Sequence, residues 1–320
     1  MTRMALALIL AIATAATAHA QAWPDKPIRM IVPLPAGAAV DVIGRLICTK
    51  LGERLGQTIV VENRPGASGA IASDAVAKAV PDGYTLGMAT STTHVSTVLL
   101  NAKLPYDPVK DFVPIAMIGV APYVLTVYPK LPAKDLAELL ALARAKPKAL
   151  SYSSVGNASL GHLATELMAS MANVQLNHVP YRATGQAVID LAEGRIDITF
   201  GLLGSNLPLI REGKIRPLAL STLRRADDLP EVPTMAEAGL PGFEASVWFA
   251  VVAPAALPPA IVDRLNREIN AILDEADVKR TLAAQGTQIE LSTPEKLRER
   301  IRADIEKWRA VADKLGIKPE

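Results

Sequence analysis

Only one cysteine, Cys48, occurs in the 320 residues. A lone cysteine closes no internal disulfide, and its count alone rules out zinc sites built on cysteine pairs. Cys48 lies in an apolar helical stretch and reads as a buried, inert thiol. Aromatic residues are 4% of the chain although 50% of it is hydrophobic, so the core must be assembled from Ala, Val, Leu and Ile. Those residues are the material of packed helices and buried parallel strands. No sign of charge dominates either. The formal net charge is +2 and no Lys/Arg cluster stands out, which leaves little electrostatic basis for a nucleic-acid partner or a membrane-surface role. Catalytic signatures are missing: there is no G-x-S-x-G, no H-E-x-x-H, no Walker loop and no G-x-G-x-x-G after a strand. Beyond residue 20 the histidines are His94, His162 and His178, widely spaced in sequence. We therefore expect no catalytic residue, no metal and no cofactor.

What is present begins at the N-terminus. Thr2-Arg3 supplies a short positive start, Met4 to Thr17 is an unbroken small and apolar run, and Ala18-His19-Ala20 gives an A-x-A pattern before Gln21. This pattern predicts a cleavable secretory signal peptide over residues 1–20, too short for a membrane span. No cysteine follows the run, so no lipid anchor is expected there. Cleavage after Ala20 leaves 300 of the 320 residues and, with Arg3 gone, 33 basic against 32 acidic groups. That length suits one large domain or two lobes of ordinary size.

Residues 28–32 form a short apolar run followed by the turn Pro35-Ala36-Gly37. From Asp41 the period changes. Ile43, Leu46, Ile47, Leu51 and Leu55 recur at three and four, with Arg45, Lys50 and Glu53 between them, which predicts an amphipathic helix stopped by Gly56. Residues 58–62 and 84–89 read as strands around a small-residue helix at 70–79. A second series reads as strands at 124–127, 149–153, 178–180, 196–200 and 217–221, with helices at 133–145, 160–171 and 187–193. Such alternation argues for parallel sheets with right-handed crossovers. After the strand-like Val247-Trp248-Phe249 the pattern is helical. One helix opens at Pro259; another opens at Thr293-Pro294 and reads as a structural brace with a solvated charged face. Two α/β lobes are expected, residues 21–121 with 251–320 as lobe 1 and 122–250 as lobe 2. The chain would cross near 120–123 and again near 247–252, and two crossings make a hinge over a cleft.

In open parallel sheets, ligands bind beyond the carboxyl ends of strands, where loops enter helix N-termini. Four such loops are rich in small and hydroxyl residues. They run from Pro33 to Asp41, from Thr90 to His94, from Ser153 to Ser159 and from Pro180 to Gly185. Free N–H groups at a helix start suit an anion, and two facing starts can grip a carboxylate at each end. The candidate ligand-binding residues are Pro35, Ala36, Gly37, Ala38, Ala39, Asp41, Thr90, Ser91, Ser153, Ser154, Asn157, Ser159, His162, Tyr181 and Arg182. Each has a plainer reading beside it. Asp41 and Ser159 are natural N-caps. His162 stands four residues before Glu166, where the two can pair on a helix surface. Tyr181 reads equally as a core residue with a bonded hydroxyl, Arg182 as solvated, and Thr90 to Thr93 as a simple loop.

In its order of motifs the chain resembles the Bug-type periplasmic solute receptors, the substrate-binding components of tripartite tricarboxylate transporters. The resemblance rests on Pro27-Ile28-Arg29, Pro35-Ala36-Gly37 with Asp41, Val61 to Ala67, and Pro81 to Leu86. It continues through Leu104 to Asp107, Lys110-Asp111-Phe112, His162-Leu163, His178 to Tyr181, Leu229 to Thr234, and Trp248. It implies a two-lobed type II periplasmic-binding fold with two crossover strands, a location in the periplasm, and no catalysis. It also implies a small organic anion as ligand, whether a di- or tricarboxylate, an amino acid or an aromatic carboxylate, and membrane transporter subunits as partners of a monomer. By position, Pro35 to Asp41 and Ser153 to Ser159 would hold a carboxylate, with the segment around Tyr181 beside them. Alanine stands at 38, 158 and 183 where such receptors usually carry glycine, which predicts a narrowed or shifted pocket. Two other readings stay open: a sensory binding protein that signals to a membrane kinase, and an exported hydrolase using a Ser/His pair such as Ser154 and His162.

Overall fold

The computed structural model describes residues 23–316 except 155, 157, 158, 182 and 183, and the backbone alone of Thr184. The expected signal peptide and its cleavage after Ala20 lie outside the described residues, as do Asn157, Ala158, Arg182 and Ala183. Among the described residues, no helix is long and apolar enough to cross a membrane.

Strand β1 (Ile28–Val32) leads into helix α1 (Ala39–Leu55), whose buried stripe includes Val40, Ile43, Ile47, Cys48, Leu51 and Leu55. The helix ends at Gly56, as its periodicity requires. Strand β2 (Ile59–Asn63), helix α2 (Ala70–Ala77) and strand β3 (Thr85–Thr90) follow, and β2, β1 and β3 pair in parallel. The chain then enters a turn of π-type hydrogen bonding over Thr92–Ser96 that runs into helix α3 (Thr97–Leu100). Wide turns of this kind are often found at functional sites. Thr90 to Thr93, which in sequence reads equally as a simple loop, is the junction of β3 with this turn; Thr90, Ser91 and Thr93 are buried, and Thr90 and Thr93 exchange backbone-to-side-chain hydrogen bonds.

Strand β4 (Phe112–Val127) is 16 residues long and organises the molecule. Beyond it come helix α4 (Leu136–Ala145), strand β5 (Ser151–Ser154), helix α5 (Leu160–Ala172), strand β6 (Asn177–Pro180), helix α6 (Thr184–Ala192), strand β7 (Ile198–Leu202), helix α7 (Leu203–Arg211) and strand β8 (Arg216–Leu220). Strand β9 (Ser246–Pro254) precedes helices α8 (Pro259–Leu273) and α9 (Ala276–Ala284), the short strand β10 (Gln288–Ile289) and helix α10 (Pro294–Lys314). The strand order is β2-β1-β3-β9-β4-β7-β5-β6, with β8 and β10 also on β4.

The register explains how two halves share one strand. From Phe112 to Pro122, β4 runs antiparallel to β9; from Tyr123 to Val127 it runs antiparallel to β7 and β8. The outer trios are parallel, as the strand–helix alternation predicts, whereas the centre is antiparallel. Ser246 pairs with Pro122, so β9 starts beside the point where β4 passes from one half to the other. All nine residues of β9 are buried, which marks a central strand and not a connector. Helix α10 braces this centre. Thr293 caps it by accepting the Lys296 N–H, and Asp304 accepts the Trp248 indole N–H at 2.9 Å. One hydrophobic core runs through both halves from Ile28 to Trp308, with two smaller clusters in the second half.

Candidate functional site

The first side of the site is the loop from β1 into α1. Ala38 holds the cap position of α1 and Asp41 sits inside the first turn, so Asp41 is not the N-cap that its residue type suggested. Its carboxylate is 2% exposed and accepts from the Gly37 N–H at 2.9 Å, from Asn63 Nδ2 at 2.8 Å and from Arg45 Nε at 3.0 Å. Asn63 also donates to the Leu34 carbonyl, which ties the loop to β2. Burial alone would raise the Asp41 pKa, but the bonds from Arg45, Gly37 and Asn63 outweigh it and hold the group below the usual carboxylate value. Gly37 turns the loop at φ +88°, a conformation that side chains resist. Pro35, Ala36, Gly37 and Ala39 are exposed. Ala38 has φ −67° and ψ 153°, so alanine is unstrained there, and its methyl packs against the core. At position 38, then, the structure gives no reason for a narrowed pocket.

At the end of β3, Thr90 and Ser91 are buried, and the Ser91 hydroxyl has no hydrogen-bond partner among the described residues. A buried, unsatisfied hydroxyl is an exception that needs an explanation. His94 does not belong to this surface. Its ring packs against Phe112 at 4.7 Å, its Nδ1 lies 2.9 Å from Thr93 Oγ1, and burial pushes its pKa down to about 3.

The second side is built where β5 meets α5. The Ser153 and Thr199 hydroxyls bond across the strands at 2.8 Å. Gly156 turns the loop at φ +113° with open space where a side chain would sit. Ser159 caps α5, accepting the His162 N–H and donating to the Gly156 carbonyl at 2.9 Å, as its residue type predicted. The Ser154 hydroxyl lies 2.6 Å from His178 Nε2. The hydrolase reading took Ser154 and His162 as its example of a Ser/His pair; the imidazole bonded to Ser154 is that of His178. His162 stacks on His178 with ring centroids 4.2 Å apart, and Glu166 receives the Tyr152 hydroxyl. Burial lowers the pKa of His162 and, together with the His162 charge, pushes His178 down to about 4. Tyr181 is half-buried; its N–H donates to the Ser154 carbonyl and its hydroxyl to Asp190, each at 2.8 Å. Burial and then that bond push the Tyr181 hydroxyl up to about 12.

Two neighbouring cavities connect these sides. One of about 100 Å³ is lined by Tyr123, Ser153, Ser154, Gly161, Thr199 and Phe200, among others. The other, of about 230 Å³, runs from Ala39 in the first half across Ala121 and Phe249 to Leu202, Gly204 and Ser205 in the second, closed by Gln285 and Gly286. Leu202 borders both. The first turns of α1, α5 and α7 thus all reach the pair of cavities, through Ala39, Gly161, Gly204 and Ser205. Free N–H groups and the positive ends of three helices make this space suited to an anion. A third cavity of about 300 Å³, lined by Arg224, Arg225, Asp227 and Lys279, touches none of the predicted residues, and we do not place the site there.

Sequence reasoning missed Tyr123, Thr199, Phe249 and the β7–α7 junction. The junction obeys the same strand-end rule as the other loops. It was passed over because α7 follows β7 without any intervening loop residue, and Pro208 inside the helix masks its period. Cys48 is buried as expected, and burial pushes its thiol up to about 12. Among the described residues no group of three or more His, Cys, Asp or Glu could hold a metal.

Residues 43–317 match the family model described as tripartite tricarboxylate transporter family receptor. The chain is 39% identical over 322 residues to Protein BugT of Bordetella pertussis, covering 99% of each. Among solved structures it is similar to R. palustris Rpa4515 with adipate, with a TM-score of 0.78, 38% identity, and coverage of 93% of this chain and 100% of that one. It is also similar to MatC from Rhodopseudomonas palustris with bound malate, with a TM-score of 0.72, 33% identity, and coverage of 90% and 99%.

Proposed function

The chain belongs to the tripartite tricarboxylate transporter receptor family and has its mixed α/β, type II periplasmic-binding fold; from that premise we propose that it captures a small organic carboxylate between the two halves of its sheet and hands it to the membrane subunits of a transporter. Receptors of this family bind solutes in the periplasm, and adipate and malate in the two R. palustris proteins support a carboxylate here. The observation that carries the reading is the meeting of three helix N-termini at the two cavities. Charge-assisted hydrogen bonds contribute about 1.5–3 kcal/mol each. Four or five of them, less the cost of ordering, reach the roughly −8 kcal/mol of a micromolar site without any metal.

In this reading the mature protein begins at Gln21 and acts as a monomer. Residues 21–121 and 251–320 form one lobe and 122–250 the other, and the lobes close about the two crossings. The carboxylate meets Pro35 to Asp41, Thr90 and Ser91 on one side. On the other it meets Ser153 to Ser159, His162, Tyr181 and Arg182. The test is a thermal-shift screen of dicarboxylates, tricarboxylates, amino acids and aromatic acids on the purified protein. A cognate acid at 100 times its Kd should stabilise the fold by about 2.7 kcal/mol and leave unconsumed. No shift with any acid, or turnover of one, would sink the reading.

A further inference from the structure

We infer that His178 positions the Ser154 hydroxyl for the ligand, and that an anion bound at this hydroxyl draws a proton onto the His178 ring; the inference rests on the carboxylate-receptor reading and concerns how that site is tuned.

The argument starts from one hydrogen atom. Ser154 has a single hydroxyl hydrogen and two acceptors for it inside the protein, His178 Nε2 at 2.6 Å and the Gly156 carbonyl at 2.9 Å. The Gly156 N–H approaches the same oxygen at 3.3 Å. When Nε2 is bare, the hydroxyl gives its hydrogen to the ring and offers an anion only lone pairs. When Nε2 carries a hydrogen, in the neutral Nε2–H tautomer or in the imidazolium, the ring donates to Oγ, and the hydroxyl hydrogen is freed toward Gly156 or a carboxylate in the cavity that Ser154 lines; the imidazolium alone also sets a positive charge beside that carboxylate. Only the second arrangement receives an anion.

The fold holds the ring in place for this choice. Parallel pairing of β5 and β6 sets Tyr152 beside His178, and Ser154, two residues on, shares that face. The imidazole packs against two flat neighbours, His162 at 4.2 Å and 9° and Tyr152 at 4.9 Å and 23°, which themselves lie 6.2 Å apart. Tyr152 is itself fixed by its 2.6 Å bond to Glu166. The titratable groups that face the ring are therefore Tyr152 from β5, and His162 and Glu166 from α5. Burial and a charge on His162 oppose protonation of His178, and Glu166 favours it. The balance keeps the ligand-free ring neutral at pH 7. A carboxylate at Ser154 adds a negative charge beside the ring and removes the competing need for its lone pair, both of which favour the protonated form. By linkage, affinity rises as pH falls toward the ligand-free value.

The experiment is isothermal titration with adipate and with malate at pH 7.5 and pH 6.0, each in two buffers of different ionisation enthalpy. The wild-type protein should bind at least threefold tighter at pH 6.0, with buffer-dependent heat reporting proton uptake. H178A should weaken binding at least tenfold at both pH values. H178Q should restore most of it, because its amide N–H donates to Ser154, but without proton uptake; the free acid's own titration is common to both proteins and cancels. A purely structural role for the ring would leave the pH slope in H178Q, and that result overturns the inference, as does S154A binding like wild type. If neither acid binds, the receptor reading loses these two ligands and the ligand-free protein decides the inference. With 15N-labelled histidine, S154A must shift the His178 Nε2 resonance and its titration midpoint. No shift overturns it.

Discussion

The two sides of the cleft are held in shape by opposite kinds of chemistry. The β1–α1 loop hangs on a buried charge, the Asp41 carboxylate, which gathers a backbone N–H, an amide and a guanidinium. The β5–α5 loop hangs on neutral groups: the Ser154, Ser159 and Ser153 hydroxyls, a glycine carbonyl and an imidazole. Both place a glycine of positive φ at the turn, so the backbone device is shared and only the anchor differs. The difference teaches where rigidity and adjustability sit. A carboxylate held below its usual range stays charged throughout the physiological range, so the first side is insensitive to pH there. An imidazole beside a hydroxyl changes its bonding with one proton, so the second side is the one that responds.

The largest effect should come from breaking the charged anchor. Asp41→Ala leaves the Gly37 N–H, Asn63 and Arg45 without their common acceptor. Removing the acceptor for several charge-assisted bonds costs about 3 kcal/mol, which lowers Tm by roughly 5–10 °C in a chain of this size. Because the folded Asp41 pKa is depressed, its contribution is fully present above the ordinary carboxylate value and is lost only as pH falls through the depressed one. The Tm deficit of D41A should therefore be constant between pH 8 and pH 5 in a calorimetric series. A deficit that shrinks within that window would mean that Asp41 is not the pH-independent anchor.

A smaller effect should appear on the other side, lost in the same direction but within a higher pH window. His178 is neutral in the fold and has an ordinary pKa when unfolded, so its contribution is complete above about pH 6.5 and erodes as pH falls toward about 4. The ring is partly exposed, and solvent screening limits the loss to about 1 kcal/mol by pH 4.5. H178Q without ligand should therefore lose less Tm than wild type between pH 7 and pH 4.5. Parallel curves for the two proteins would remove the contrast between the sides.

The contrast itself was only half legible in the sequence. The stripe Ile43, Ile47, Leu51 and Leu55 located α1, and the patterning located the ends of the strands that precede the four loops, because these depend on neighbours within a few residues. The residue type of Ser159 sufficed to name a cap. Asp41 misled for a physical reason: a carboxylate three residues into a helix reaches back to the preceding turn as readily as one at the cap. The Ser154–His178 bond was out of reach, because it depends on the register of two strands separated by 24 residues. Strand β4 hid its first half for a different reason. From Phe112 to Pro122 it is covered on both faces, so it shows no alternation and could not be told from any apolar run.

The mildest change offers the finest test of where the first loop ends and the cavity begins. The resemblance to Bug-type receptors implies glycine at the position of Ala38, and with it a pocket constricted by this methyl. In the structure the residue is extended, half-buried and packed against the core. Ala38→Gly therefore removes a small apolar contact and adds freedom to the unfolded chain, for a loss of about 0.5–1 kcal/mol. It leaves the Asp41 acceptor and the α1 N–H groups in place, so Kd for the cognate acid should change less than twofold. If A38G instead admitted larger acids or tightened binding severalfold, the methyl would have to face the cavity in the closed protein, and the charged side would be no more rigid than the neutral one.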